Sequence, residues 1–252
     1  MIRETPRQTP RLRAATFAAA TLAAAALSAG AAQAAQVFSD NFNTENGGAA
    51  ANPYTNFANW TVSGGEFSVV EGARCEGGSG GCVGLDGRGG GPVGNEFHTT
   101  DSFNYLAGAV VTLTFDISGS HADCGKCDAD DMYETGFLFG VEPTTITNVT
   151  FDNASFGTLH ETTGIDLFGN GFAVPRNDPW TAHTISFTAT QAGSVQIDLR
   201  SYSVDGIGPL LDNVALDVTG GSVPEPASWA LMILGFGGAG AVLRRRRTAL
   251  AA

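Results

Sequence analysis

Lysine is nearly absent: of 252 residues only Lys126 is a lysine, and most of the 13 basic residues crowd into two end clusters, Arg3 to Arg13 and Arg244 to Arg247. Between Gln36 and Pro226, Arg74, Arg88, Lys126, Arg176 and Arg200 face 24 Asp and Glu, a formal charge of about −19 that the whole-chain value of −12 understates. Such a surface repels nucleic acid and anionic lipid and favours solubility and divalent cations. Catalytic signatures are missing as well. His98, His121, His160 and His183 are scattered, no His-Glu-x-x-His pair occurs, and no nucleophile elbow stands out. Carboxylate pairs of the kind that hydrolyse glycosidic bonds carry no signal among so many acids. The chain reads as a non-enzyme that demands no cofactor. Helical periodicity is absent from the middle of the chain, which argues against a helical bundle.

The ends supply what the middle lacks. Arg3, Arg7, Arg11 and Arg13 precede an apolar run from Ala14 to Leu27, and Ala32-Gln33-Ala34 places small residues at the spacing a signal peptidase accepts. Residues 1–35 are expected to be a secretory signal peptide, passed through the secretion translocon and cut before Ala35 or Gln36. No Arg-Arg pair marks the twin-arginine route. At the other end, Ala227 to Leu243 holds no charged side chain, enough for a helix about 25 Å long and close to the hydrocarbon thickness of a bilayer. Pro224 and Pro226 bar an earlier start, Trp229 suits one headgroup boundary, and Arg244, Arg245, Arg246 and Arg247 suit the cytoplasmic side of the other. The expected order is a domain over 36–219, a linker over 220–226, a single transmembrane helix over 227–243 and a basic cytoplasmic tail over 244–252.

Pro224-Glu225-Pro226, Trp229-Ala230, Gly235-Phe236-Gly237 and the four arginines together resemble the PEP-CTERM sorting signal in its PEPxxWA variant. The resemblance implies a Gram-negative bacterium, a precursor in the inner membrane with its domain outside, and an exosortase as partner that cuts near Pro226. It also implies a setting in the envelope or in an exopolysaccharide-rich biofilm.

The exported domain reads as all-β. Val111 to Ile117 alternates apolar and polar residues strictly, as do Ile185 to Ala189 and Val195 to Arg200, so each presents one side to a core and the other to water. Gln191-Ala192-Gly193-Ser194 between the last two predicts a hairpin. Short strands joined by Gly-, Asn- and Asp-rich turns predict an antiparallel β-sandwich. The succession Asp40-Asn41-Phe42, Asn59-Trp60-Thr61-Val62, Gly84-Leu85-Asp86-Gly87, Phe115-Asp116-Ile117-Ser118-Gly119, Trp180 and Gly208 to Val214 resembles galactose-binding-like jelly rolls. That group includes carbohydrate-binding modules, which makes polysaccharide a partner the resemblance allows, with Tyr54, Trp60, Trp180 or Tyr202 stacking on a sugar ring.

Two sets of residues invite further reading. If Val214, Leu216 and Val218 face the core, alternation places Asp212 with them, where an unpaired carboxylate is costly. A structural calcium bridging Asp212 to Asp40, as the jelly-roll resemblance implies, is one remedy; backbone N–H groups in a turn are the other. The cysteines form two close pairs, Cys75 with Cys82 and Cys124 with Cys127, and in an exported chain two local disulfides are favoured among three connectivities. A zinc site with His121 and a redox motif at Cys124-Gly125-Lys126-Cys127 remain the alternatives. The acids from Asp123 to Glu134 lack the glycine and final glutamate of an EF-hand loop and read as a solvated loop.

Overall fold

In the computed structural model, residues 34–63, 67–85, 95–122, 130–140, 144–161, 172–201 and 207–220 are described. The expected signal peptide up to residue 33, the sorting motif from Pro224 to Ala230, the expected helix over 227–243, the arginine cluster, Cys124, Cys127 and Tyr202 lie outside them. Among the described residues no helix is long and apolar enough to cross a membrane.

The domain is an antiparallel β-sandwich, as the alternating segments predict. Its strands are β1 (Ala35–Asp40), β2 (Ala51–Tyr54), β3 (Trp60–Ser63), β4 (Phe67–Glu71), β5 (Gly81–Gly84), β6 (Asn95–Thr99), β7 (Phe103–Tyr105) and β8 (Val110–Ser118). They continue with β9 (Asp130–Phe139), β10 (Thr144–Phe151), β11 (Ala154–Glu161), β12 (Phe172–Pro175), β13 (Thr181–Ala189), β14 (Gly193–Ser201) and β15 (Leu210–Thr219). A nine-stranded sheet runs β11-β10-β13-β8-β15-β5-β4-β2, with β1 also on β15; a six-stranded sheet runs β12-β9-β14-β6-β3, with β7 also on β14.

Alternation works as expected in β8. Val111, Leu113, Phe115 and Ile117 are buried while Thr112, Thr114 and Asp116 are half-buried on the other side. The expected hairpin after β13 does not form. β13 pairs with β8 and β10 in the larger sheet, whereas β14 pairs with β6, β7 and β9 in the smaller one. The Gln191 turn is therefore an arch between layers, and Ile185 and Phe187 join Ile197 and Leu199 in one core. Alternation cannot distinguish the two outcomes, since a strand packed across a sandwich and one paired beside its neighbour show the same period.

Aromatic rings fill one end of this core. The Trp60 and Phe97 rings stack 4.4 Å apart at an interplanar angle of 6°, and Phe42, Phe57 and Phe67 surround Phe97 at ring separations of 4.9 to 6.2 Å. Offset and tilted rings at these separations contribute about 0.5–1.5 kcal/mol per pair beyond the area they bury.

Candidate functional site

β15 shows where the simple period fails. Asn213 has a positive φ of 49°, and the register with β8 shifts between Asp212 and Ala215. The extra residue is a β-bulge, so both Leu211 and Val214 enter the main core and Asp212 turns outward with Leu210. The expectation that Asp212 faces the core is thereby corrected. Asp212 is still only 4% exposed, because the segment from Gly72 to Gly80 folds over the outer face of the larger sheet. The backbone N–H groups of Asn213, at 2.7 Å, and of Glu76 donate to its carboxylate. Burial above all, with Asp116 and Glu76 adding their charge, pushes its pKa up to about 7.

The covering segment is held at several points. A disulfide joins Cys75 to Cys82, and Gly72 N–H donates to Gly80 O at 2.9 Å. Trp180 Nε1 donates to Arg74 O at 3.1 Å, and its half-buried ring packs on Val70, Cys75, Cys82 and Leu210, a second apolar cluster outside the main core. Four of the residues singled out in the sequence, Cys75, Cys82, Trp180 and Asp212, thus meet at one place. Beside them opens a cavity of about 370 Å³, lined in part by Ser68, Val70, Arg74, Gly84, Ser120 and Leu210.

The remaining candidates gather elsewhere. Asp40 Oδ1 accepts from Phe42 N–H at 2.9 Å, and its Oδ2 accepts from Asn59 Nδ2 and Trp60 Nε1, both at 3.0 Å. Glu45 accepts Ala58 N–H at 3.0 Å and the Tyr54 hydroxyl at 3.4 Å. Trp60 is 2% exposed, which corrects its reading as a sugar platform: its ring is core, and only its N–H reaches outward, to Asp40. Tyr54 is half-buried, edge-on to Phe57 at 4.7 Å. Asp40 and Asp212 have separate sets of partners, and among the described residues no three His, Cys, Asp or Glu side chains gather into a metal-holding group. Next to Asp40 lies an open groove of about 490 Å³ whose walls include Gln36, Asn41, Thr44, Asn59 and Asn213. Amides and hydroxyls both donate and accept, the pattern that vicinal hydroxyls of a sugar require.

Two arrangements escaped sequence reading. Thr181 Oγ1 lies 3.0 Å from His183 Nε2, and His183 Nδ1 lies 3.0 Å from Asp152 Oδ2. The spacing of a hydroxyl–imidazole–carboxylate chain is present, but Thr181 Oγ1 is also 3.3 Å from Ile117 O, so two acceptors compete for its one proton. The His183 ring is wedged between Phe115 and Phe151, each 5.6 Å away. Thr181 and His183 share a strand face by the i, i+2 rule and were legible as a pair; Asp152, supplied by a turn with φ 51°, was not. The second is Gly77-Gly78-Ser79-Gly80-Gly81, which spells Gly-x-Ser-x-Gly. It runs through a 3-10 turn inside the disulfide loop and leads into β5, not from a strand into a helix, so it is not a nucleophile elbow.

Residues 222–247 match the PEP-CTERM protein-sorting motif. The chain thus carries the signal of an exported, membrane-anchored precursor that an exosortase processes. Comparison with curated proteins finds no match in sequence. Among solved structures, the chain is similar to a cyclase from Fischerella sp. TAU, with 12% identity, coverage of 76% of this chain and 100% of that one, and a TM-score of 0.48. It is also similar to the N-terminal CBM22-1–CBM22-2 tandem domain of Paenibacillus barcinonensis Xyn10C, with 15% identity, coverage of 78% and 48%, and a TM-score of 0.43. A third is the CBM22-1–GH10 part of Clostridium thermocellum xylanase 10B complexed with xylohexaose, with 13% identity, coverage of 75% and 29%, and a TM-score of 0.38. The chain spans less than half of the two xylanase chains, and at these scores no ligand or reaction carries over.

Proposed function

We propose that this is a cell-surface or extracellular-matrix protein of a Gram-negative bacterium, without enzymatic activity of its own, released to the envelope or its exopolysaccharide after exosortase processing. The single observation that carries the reading is the sorting motif over residues 222–247. The acidic exported domain, at about −19, supports a soluble life outside the membrane once the tail is removed. The test is intact mass and fractionation of the native protein from cells with and without a functional exosortase. A species that begins near Ala35 and ends near Pro226, lost without exosortase, is the expected result. A species keeping the arginine tail in both strains would sink the proposal.

A second reading, carbohydrate binding, is favoured by the groove of amides and hydroxyls beside Asp40. Saturable binding of a neutral glycan that weakens on Asn41→Ala is its expected signature. Unchanged binding in that variant would remove the groove from consideration.

A further inference from the structure

We propose that the cavity beside the disulfide loop binds a sugar acid, its carboxylate paired with Arg74 and its hydroxyls received by Ser68 and Ser120. The inference rests on the carbohydrate reading for its class of ligand but uses a different site. At about 370 Å³ the cavity falls within the range of small-molecule pockets.

The polar equipment comes first. Ser68 and Ser120 both line the cavity though they are only 8% and 1% exposed, and Ser120 Oγ has no hydrogen-bond partner. A buried hydroxyl left unpaired is unfavourable in the empty protein and is relieved by a ligand that bonds to it. Ser68 keeps its room because residue 84 is glycine: a Cβ there would strike Ser68 Oγ. The cation is equally specific. Among the described residues Arg200 is bound to Glu96 and Asp198 at 3.0 Å, whereas Arg74 makes no ion pair in a domain crowded with acids. One guanidinium suits one carboxylate, and its fork can bind both oxygens at once.

Preorganisation comes second. Arg74 rides on the loop tied by Cys75–Cys82 and by Trp180 Nε1. The opposite wall, which carries Ser120, is pinned on both sides: Gly119 N–H donates to Asp178 O at 3.1 Å, His121 N–H to Arg176 O at 2.9 Å, and Ser118 Oγ to Asp178 O at 3.0 Å. Walls fixed before binding lower the ordering cost of a ligand. Val70, Leu210 and Ile207 add apolar surface for the C–H face of a sugar ring. The negative field of the domain opposes any anion, but at physiological ionic strength it is screened beyond about 8 Å, while Arg74 acts in contact.

The test is a titration of the full-length chain, the Cys75–Cys82 disulfide intact, with glucuronate, glucose and acetate. Glucuronate is expected to bind saturably and more tightly than either of the others, with Arg74→Gln weakening it about tenfold, as loss of a charge-assisted pair does. Trp180 bonds to the backbone of residue 74, so the fold survives this change. Ser120→Ala is expected to weaken glucuronate severalfold while leaving the unliganded melting temperature unchanged or higher, which a merely structural serine would not do. Equal affinity in Arg74→Gln, or acetate binding as tightly as glucuronate, would overturn the proposal. Neutral glycans binding without glucuronate would overturn this site and leave the carbohydrate reading standing; binding of neither would remove both.

Discussion

Glu45 and Asp212 are carboxylates hidden to a similar degree, 5% and 4% exposed, in opposite kinds of surroundings. Around Glu45 donors dominate. Ala58 N–H and the Tyr54 hydroxyl reach it, and its charged neighbour Asp40 is itself held by Phe42 N–H, Asn59 and Trp60. Burial first, then the charge of Asp40, raises the Glu45 pKa, while these donors oppose the rise. Around Asp212 acids crowd instead: two backbone N–H groups serve it, with Asp116 and Glu76 close by. The first carboxylate fastens the segment after β1 to the aromatic end of the core. The second is held by backbone N–H groups among like charges under a lid, and it titrates near neutrality.

Trp60→Ala should have the largest effect. It removes both the stack on Phe97 and the donor to Asp40, so a loss of about 3–5 kcal/mol in urea denaturation is expected. A loss under about 1 kcal/mol, the level of a surface substitution, would break the claim that the donor-rich region is a structural knot. Next is the lid. Replacing Cys75 and Cys82 together by serine releases a short closed loop, and chain entropy alone predicts a loss of about 2.5 kcal/mol. A melting temperature unchanged from that of the wild type would show the loop to be held by Trp180 and the apolar cluster instead.

Asp212→Asn sharpens the comparison most finely. The folded protein keeps the Asp212 proton up to about pH 7, while the unfolded chain releases it near pH ~4, so this residue costs the wild type stability as pH rises through that window. Asparagine keeps the acceptor oxygen and cannot ionise. The variant should match the wild type near pH 4 and be more stable at pH 8 by about 1–2 kcal/mol. Parallel pH–stability curves for the two proteins would refute the assignment.

Strand existence was legible wherever side chains alternate, as β8, β13 and β14 show. Partnership was not, because the arch at Gln191 and a hairpin share one pattern. Nor was the face of Asp212, since the bulge depends on a positive φ at Asn213 that no periodicity announces. The cavity was hidden for a related reason. Ser68 alternates as a solvent-facing residue of β4 should, and only the folding of residues 72–80 over the outer face makes that side an interior. The close spacing of Cys75 and Cys82 was the one sequence signal that this excursion is tied down.

The pairing of β1 with β15 sets a timetable. Ala35 to Asp40 hydrogen-bonds to Val214 to Val218, so the first strand of the domain has its partner nearly 180 residues later. Contacts of such sequence separation form slowly, because a long loop must close before they can reward it. Any route that delivers the chain in order presents β1 long before its partner and leaves β8 short of β15 as well. Completion of the larger sheet therefore waits on the last strand, which lies only a few residues ahead of the sorting motif. In a chain delivered in that order, the larger sheet is left incomplete until the strand just ahead of the address arrives.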